Sequence, residues 1–188
     1  MQKNLLLVIV LFSVSNVFAQ EKGSFEDMRD GNWYKYVTIG SKVWMAESVN
    51  YKTAEGSWCY GEGRYAEEKC KEYGRLYNHN TAKNVCPNGW RLPDKADYEL
   101  LIAIWGGTLN SAAGGAKDPK GFNAKLGGFR GAGGAYDFME SAVYFWTSTK
   151  YGENSAWMFG VAGTTANAMG SVSQDNIHTG RYVRCIKK

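Results

Sequence analysis

Alternating hydrophobic and polar residues predict a β-hairpin near the start of the folded part of the chain. The odd-numbered positions of residues 33–39 lie on one strand face and the even-numbered positions lie on the other. Gly40 and Ser41 form a two-residue connection with glycine first, which is typical of a type II′ turn. The return strand is predicted at 43–46, and the polar residues 20–31 are expected to precede the fold as a leader.

A hydrophobic spacing of three and four residues predicts a helix that begins after Asp94. Its apolar face carries Tyr98, Leu101, Ile102 and Trp105. Asp94 is a typical N-cap, and Asp97 is placed three residues later to complete a capping box. The pair Gly106-Gly107 is expected to end this helix. Shorter helices are predicted at 67–73, where a disulfide-tied loop is the alternative, and at 77–85.

The remainder of the chain predicts a long loop and then three closing strands. Residues 106–134 are rich in glycine, so little regular structure is expected there. The side chains expected to pin this loop to the core are Phe122, Leu126, Phe129 and Tyr136. Strands are predicted at 143–150, 155–161 and 180–188. In the last strand, alternation separates Val183 and Cys185 from Tyr182, Arg184 and Ile186.

Composition supports one packed domain, which we place at residues 32–188. Hydrophobic residues make up 44% of the 188 residues and aromatic residues 14%, so the chain can bury a core. The formal net charge of +4 is small, and no basic run is interleaved with aromatic residues. Nucleic-acid binding is therefore disfavoured.

The first residues have the features of a secretory signal peptide, which we place at 1–19. Lys3 precedes the apolar run 5–12, and Ala19 lies at the expected cleavage point before Gln20. The apolar run is too short to span a bilayer, and no cysteine follows the cleavage point as a lipoprotein would require. We therefore predict export to the periplasm, the cell surface or the medium, with no membrane insertion after cleavage.

Four cysteines in an exported chain predict two disulfides. Three connectivities are possible, and we favour Cys59–Cys70 with Cys86–Cys185, which close a short and a long loop respectively. A zinc site is disfavoured because no two cysteines have ligand spacing and the only two histidines, His79 and His178, are far apart in sequence.

Several segments, in the same order, resemble the Fibrobacter succinogenes major paralogous domain family. They are residues 30–51, 58–63, 69–82, 85–101, 121–130, 144–149, 155–161 and 182–188. The resemblance implies an exported bacterial domain, common in Fibrobacteres and Bacteroidetes, with a C-type-lectin-like α+β fold. That fold has small antiparallel sheets, two or three short helices, a long loop region and paired termini, which would bring Cys185 near Cys86. Residues 91–99 are also similar to the RLPTEAEWE signature of formylglycine-generating enzymes, which share this fold.

The residues give little support for catalysis. A formylglycine-generating oxidase needs a reactive cysteine pair, whereas the four cysteines here match the family's structural positions. No nucleophile motif accompanies either histidine; His79 is expected at a helix end on the surface and His178 in a turn near Gly180. The sugar-binding triplets of calcium-dependent lectins are also absent, and FWTST at 145–149 occupies the place of the second one.

Binding is the better-supported prediction. Trp44, Trp90, Trp105 and Trp146 are assigned to the core. Tyr136, Tyr151 and Trp157 border polar loops, where aromatic rings can stack on sugars. The acids and amide that could supply oxygen ligands to calcium are Asp137, Glu140, Glu153, Asp175 and Asn176.

The predicted ligand-binding set is therefore Tyr136, Tyr151, Trp157, Asp175 and Asn176. No cofactor is predicted, and calcium is the one ion considered. The expected partner is a polysaccharide or a surface protein, bound on the long-loop face, and the oligomeric state is open. The alternatives are a structural component of a cell-surface assembly and an oxidase relative.

Overall fold

The structure, a computed structural model, describes residues 21–105, 121–163 and 169–188. In chain order the elements are β1 (Lys22–Asp27), β2 (Asn32–Ile39), β3 (Lys42–Met45), β4 (Ser57–Trp58), α1 (Ala66–Tyr73), β5 (Leu76–Tyr77), α2 (His79–Ala82), β6 (Trp90–Arg91), α3 (Lys95–Ile104), β7 (Gly127–Arg130), β8 (Tyr136–Met139), β9 (Ala142–Lys150), β10 (Ser155–Ala162), β11 (Met169–Asn176) and β12 (Ile186–Lys187). The described residues are mostly β-structure with three helices, which is compatible with the predicted α+β class.

The first sheet has the order β1-β2-β3-β12-β6, and all its strand pairs are antiparallel. The predicted hairpin is confirmed: Ile39 pairs with Lys42, and Gly40 has φ 61°. The sheet is curled enough for its two edge strands to meet: Phe25 on β1 stacks on Trp90 of β6, with ring centroids 4.5 Å apart. The curl encloses an apolar interior between the two edges.

Segment 20–31 is not only a leader, because it contains strand β1. β1 pairs with β2 in continuous register from Lys22 opposite Val37 to Asp27 opposite Asn32. The hydrophobic pattern does not predict this strand, because Phe25 is its one large apolar residue. Main-chain pairing and the stacking of Phe25 hold the segment against the sheet.

The second sheet has the order β11-β10-β9-β7-β8. Its strands are antiparallel apart from the parallel contact of β7 with β9 at Gly128 and Val143. The predicted strands at 143–150 and 155–161 are confirmed as β9 and β10. β11 was not predicted, because its residues Met169–Asn176 are mainly small and polar.

The expectation of little regular structure at 106–134 is wrong for β7. Two of its four residues are glycines that allow close packing. A Cβ atom on Gly127 would lie 2.5 Å from the hydroxyl of Tyr182, and Gly128 has φ 70°. These glycines therefore form a tightly packed strand rather than a loop. The rest of this stretch up to residue 120, including Gly106-Gly107, lies outside the described residues.

The predicted helix after Asp94 is confirmed as α3. The Asp94 side chain accepts a hydrogen bond from the Asp97 backbone N–H (2.8 Å), and the Asp97 carboxylate accepts one from Asp94 (2.9 Å). The helix predicted at 67–73 is α1, and it is also tied by a disulfide. The helix predicted at 77–85 is shorter, since α2 begins only after Asn78 caps it.

Two apolar clusters fill the interior, and the end of the chain contributes to both. Tyr182 and Ile186 belong to the cluster that contains Phe122, whereas Val183 and Cys185 belong to the other. This confirms the alternation predicted for the last strand, although the predicted bounds of 180–188 are wrong, since β12 covers only Ile186–Lys187.

The favoured disulfide connectivity is confirmed. Cys59 is bonded to Cys70, and Cys86 is bonded to Cys185. The two bonds indicate an extracellular or periplasmic environment. None of the described helices is long and apolar enough to cross a membrane.

Candidate functional site

Two of the predicted ligand-binding residues meet at the β9–β10 turn. The rings of Tyr151 and Trp157 are perpendicular, with an interplanar angle of 88° and centroids 5.4 Å apart. Tyr151 is 57% exposed, whereas Trp157 is half-buried. The geometry leaves the Tyr151 ring as the larger solvent-facing aromatic surface.

Backbone hydrogen bonds hold this turn in place. The carbonyl of Ser155 accepts from the N–H groups of Tyr151 (3.0 Å) and Gly152 (3.2 Å). The β9–β10 register shifts between Ala156 and Met158, so β9 bulges opposite Trp157. Such a bulge re-aims the side chains around it.

The bulge also binds the start of α3. The backbone N–H of Lys95 donates to the Thr149 hydroxyl (3.0 Å), and that of Ser148 donates to the Pro93 carbonyl (2.7 Å). This contact places the Lys95 ammonium 4.9 Å from the centroid of the Trp157 ring. Lys95 therefore covers part of the indole as a cation–π partner, while it also pairs with Glu99.

Strand register brings two amide side chains to the same face. Asn176 is opposite Ser155, and Gln174 is opposite Trp157. Because directly opposed residues of antiparallel strands share a face, both amides lie on the side of Trp157, and both are exposed. We call Lys95, Tyr151, Trp157, Gln174 and Asn176 the hairpin patch.

Asp175 and Tyr136 lie elsewhere. Asp175 alternates to the opposite face of β11, where its carboxylate pairs with the buried Arg181 and accepts from the Thr179 hydroxyl (3.2 Å). Burial lowers the pKa of Arg181, and the neighbouring Asp175 opposes that shift. Tyr136 is on β8, at the other edge of the sheet, and packs on Tyr60 with centroids 5.2 Å apart.

The acids predicted as calcium ligands do not cluster in the part of the chain that the structure describes. The one described group of three potential ligands is Cys59, Glu67 and Cys70. The two sulfur atoms are bonded to each other, and the carboxylate of Glu67 pairs with Arg75 (2.8 Å). This group is therefore occupied by covalent and ionic bonds within the protein.

The expectation that His79 lies on the surface is wrong. His79 is fully buried at the start of α2, and its ring packs edge-on against Trp146 at 5.1 Å. Its Nε2–H donates to the Thr147 carbonyl (3.0 Å), and burial lowers its pKa. The first turn of α2 faces the interior, which sequence spacing alone did not show. His178 is exposed in a turn, as predicted.

Sequence reasoning missed Lys95 and Gln174. Gln174 belongs to β11, which the hydrophobic pattern does not predict. The sequence therefore could not show that Gln174 lies opposite Trp157. Lys95 follows the predicted N-cap, but its approach to Trp157 depends on how α3 docks on β9. The predicted residues also line no part of a separate cleft of about 190 Å³ beside Trp33.

Comparison with known proteins agrees with the segment order seen in the sequence. The Fibrobacter succinogenes major domain matches residues 37–187, which include β3 to β12 and all three described helices. No curated protein and no solved structure matches the chain. With the match covering most of its length, the chain belongs to the Fibrobacter succinogenes major domain family.

Proposed function

We propose that this protein is an exported, non-catalytic module that binds polysaccharide through the hairpin patch. The observation that carries the proposal is the Tyr151 ring, 57% exposed and held edge-on by Trp157 at the end of the second sheet. A rigid, exposed ring offers an apolar face to the C–H groups of a sugar.

The surroundings of Tyr151 supply the polar contacts that sugar hydroxyls need. The exposed amides of Gln174 and Asn176 offer both donors and acceptors on the same face. Lys95 already lies over the Trp157 ring, so Trp157 acts as a support and Tyr151 as the stacking surface. Tyr151, Gln174 and Asn176 are all exposed to solvent, so a polymer chain can reach all three together.

The cysteine chemistry supports a non-catalytic role. An oxidase of the formylglycine-generating type would need two cysteines free to hold metal, whereas the chain has four and each belongs to a disulfide. The same disulfides support export, for which residues 1–19 would be the signal. A C-type-lectin-like arrangement is the finer fold that we propose, because it combines two disulfides, short helices and curled antiparallel sheets.

The test is retention of the mature protein on insoluble polysaccharides and a glycan array, with calcium and with a chelator. Tyr151→Ala should weaken binding about fivefold, the equivalent of losing about 1 kcal/mol of ring stacking. Tyr151→Phe should retain binding. Tyr65→Ala is the matched control, because Tyr65 is 56% exposed and lies outside the patch.

Four results would contradict the proposal. The wild-type protein could fail to bind any polysaccharide in either buffer, which would favour a structural role in a surface assembly. Tyr151→Ala could bind as well as the wild type, or Tyr65→Ala could lose as much. Loss of binding with the chelator alone would show that a calcium site, rather than the ring, carries recognition.

A further inference from the structure

A cleft of about 190 Å³ opens beside Trp33, and none of its lining residues belongs to the hairpin patch. Its walls come from the start of β2, the segment that follows β3, the end of α1 and the segment just before β7. Arg184 also lines it. The volume is below the roughly 300 Å³ at which pockets for drug-sized molecules begin, so it suits a ligand of about one sugar ring.

The wall formed by α1 is rigid. Cys70 lines the cleft and is bonded to Cys59. Gly74 ends the helix with φ 87°, and a Cβ atom there would lie 2.6 Å from the Cβ of Ser48. The backbone N–H of Arg75 then donates to the Val49 carbonyl (2.9 Å), which fastens this wall to the segment after β3. A wall held in this way needs no ordering when a ligand binds.

The buried side chain of Arg184 is equally fixed. Its guanidinium lies 4.6 Å from the Phe122 ring and 5.2 Å from the Phe145 ring. Its N–H groups donate to the carbonyls of Phe122 and Asn123 and to the hydroxyl of Ser48. Aromatic faces and carbonyl and hydroxyl oxygens therefore help to hold the guanidinium beside the cleft.

An exposed aromatic ring stands at this cleft. Trp33 is 63% exposed, although Val37 and Ile39, further along the same strand face, enter the core. A single exposed tryptophan would need no explanation. Here Trp33 is one of the residues that line a concave polar surface, which is the combination that can bind a sugar ring by stacking and hydrogen bonds.

The cleft contains polar groups suited to hydroxyls. Asn32 and Asn50 supply amides, and the Oδ1 atom of Asn50 is buried yet accepts no hydrogen bond from any residue that the structure describes. The Tyr34 hydroxyl accepts from the Asn50 backbone N–H (2.9 Å). Burial raises the Tyr34 pKa to about 12, so the hydroxyl stays protonated at neutral pH and keeps a donor.

The charges at the cleft nearly balance. Its cationic side chains are Lys71, Lys125 and Arg184, and its anionic ones are Glu47 and Glu72. Glu47 accepts from the Lys35 backbone N–H (2.8 Å), and Lys125 donates to the Glu72 carbonyl (2.9 Å). Such a nearly balanced set gives neither an acidic nor an amino sugar a large electrostatic advantage, whereas desolvating the charge of either one would cost free energy, so a neutral sugar is favoured.

We propose that the Trp33 cleft is a second saccharide site, which takes one neutral hexose unit. Trp33 stacks on the sugar ring, while Asn32, Asn50 and Tyr34 bind its hydroxyls. The proposal rests on the proposed function for the class of ligand, but on different residues. A module with both sites holds one unit of a polymer in the cleft and another stretch on the patch, and two linked contacts bind more tightly than either alone.

The test is an NMR titration of the mature, ¹⁵N-labelled protein with the methyl glycosides of glucose, galactose and mannose. Trp33→Phe identifies the Trp33 indole N–H signal by its disappearance. At least one hexose should shift that signal and the side-chain amide signals of Asn32 and Asn50. Methyl glucuronide, the charged probe, should bind more weakly than its neutral counterpart.

Trp33→Ala should weaken hexose binding by about tenfold or more, read from the Asn50 amide. The exposure of Trp33 means that this change should leave the fold intact, which the rest of the spectrum reports. Tyr65→Ala is the control, because Tyr65 is 56% exposed and belongs to neither the cleft lining nor the hairpin patch, and it should leave the titration unchanged. The proposal is overturned if no neutral hexose shifts these signals, if glucuronide binds better, or if Trp33→Ala binds as well as the wild type.

The two proposals fail in different ways. If the cleft proposal alone is wrong, Tyr151→Ala still reduces polysaccharide retention while the hexoses leave Trp33 unmoved. If the patch proposal alone is wrong, hexoses still bind at Trp33 while Tyr151→Ala retains polysaccharide normally.

Discussion

Removing either disulfide should destabilise the protein, and the long-range one should cost more. Cys86–Cys185 joins residues 99 positions apart, whereas Cys59–Cys70 joins residues 11 apart. A crosslink restricts the unfolded chain in proportion to the logarithm of the loop that it closes. The two bonds therefore offer an internal comparison within one fold.

The magnitudes follow from those separations. Loop-closure entropy predicts about 4.7 kcal/mol for a separation of 99 and about 2.8 kcal/mol for a separation of 11. Both bonds are largely buried, so replacing either pair by alanine leaves a comparable small cavity. The expected difference is about 2 kcal/mol, or about 4–8 °C in Tm for a chain of this length.

The assay is equilibrium unfolding in urea of Cys59→Ala/Cys70→Ala and Cys86→Ala/Cys185→Ala, beside the wild type. The m-value should rise more in the second variant, because its unfolded state is released from the larger loop. The entropic reasoning would be refuted if the short-loop variant lost as much stability as the long-loop variant. Equal m-values would show that the unfolded state remains compact without the long crosslink.

Two further predictions concern the capped helix and the buried histidine. Asp94→Ala removes the acceptor for the Asp97 N–H and should lower the free energy of unfolding in urea by about 1 kcal/mol. Asp94→Asn keeps an acceptor and should cost much less. Equal losses in the two variants would show that this hydrogen bond does not stabilise the helix. Burial lowers the pKa of His79 in the folded protein. As the pH falls below about 6.5, the His79 imidazole is therefore protonated more readily in the unfolded chain than in the folded one. Stability should therefore fall between pH 7 and pH 5, and His79→Gln should flatten that slope. His178→Gln, at an exposed turn, should leave it unchanged, and a slope that persists in His79→Gln would contradict the assignment.

Local patterns in the sequence predicted the elements whose causes are local. The capping box needs only Asp94 and Asp97 at a spacing of three, and the hairpin needs only a glycine at the first turn position. The alternation of Val183 and Cys185 against Tyr182 and Ile186 was likewise readable, because a strand places neighbours on opposite faces.

The missed elements depend on partners that are distant in sequence. β1 contains one large apolar residue, Phe25. The segment forms a strand because its backbone pairs with β2 and Phe25 stacks on Trp90. β7 is a strand because Gly127 permits contact with Tyr182, which follows more than fifty positions later. Main-chain pairing can therefore impose a strand on residues whose own pattern indicates a loop.

The same limit applies to the candidate site. Tyr151 and Trp157 are predicted because each borders a polar loop, and the structure shows that they flank the same turn, which brings their rings into contact. Asp175 and Asn176 are predicted as possible oxygen ligands, but strand alternation places their side chains on opposite faces of β11. Once β11 is recognised as a strand, the register to β10 selects Gln174 and Asn176 and removes Asp175 from the patch.

The Trp33 cleft depends on segments that both disulfides hold. Cys70 lies on α1, so Cys59–Cys70 fixes the helix that forms one wall of the Trp33 cleft. Cys185 follows Arg184, so Cys86–Cys185 anchors the residue that lines the cleft beside Phe122. In an oxidising environment the cleft is therefore pre-formed, so the proposed sugar would bind without the cost of ordering these segments. The Cys59→Ala/Cys70→Ala variant should accordingly bind hexose more weakly even at temperatures where it remains folded.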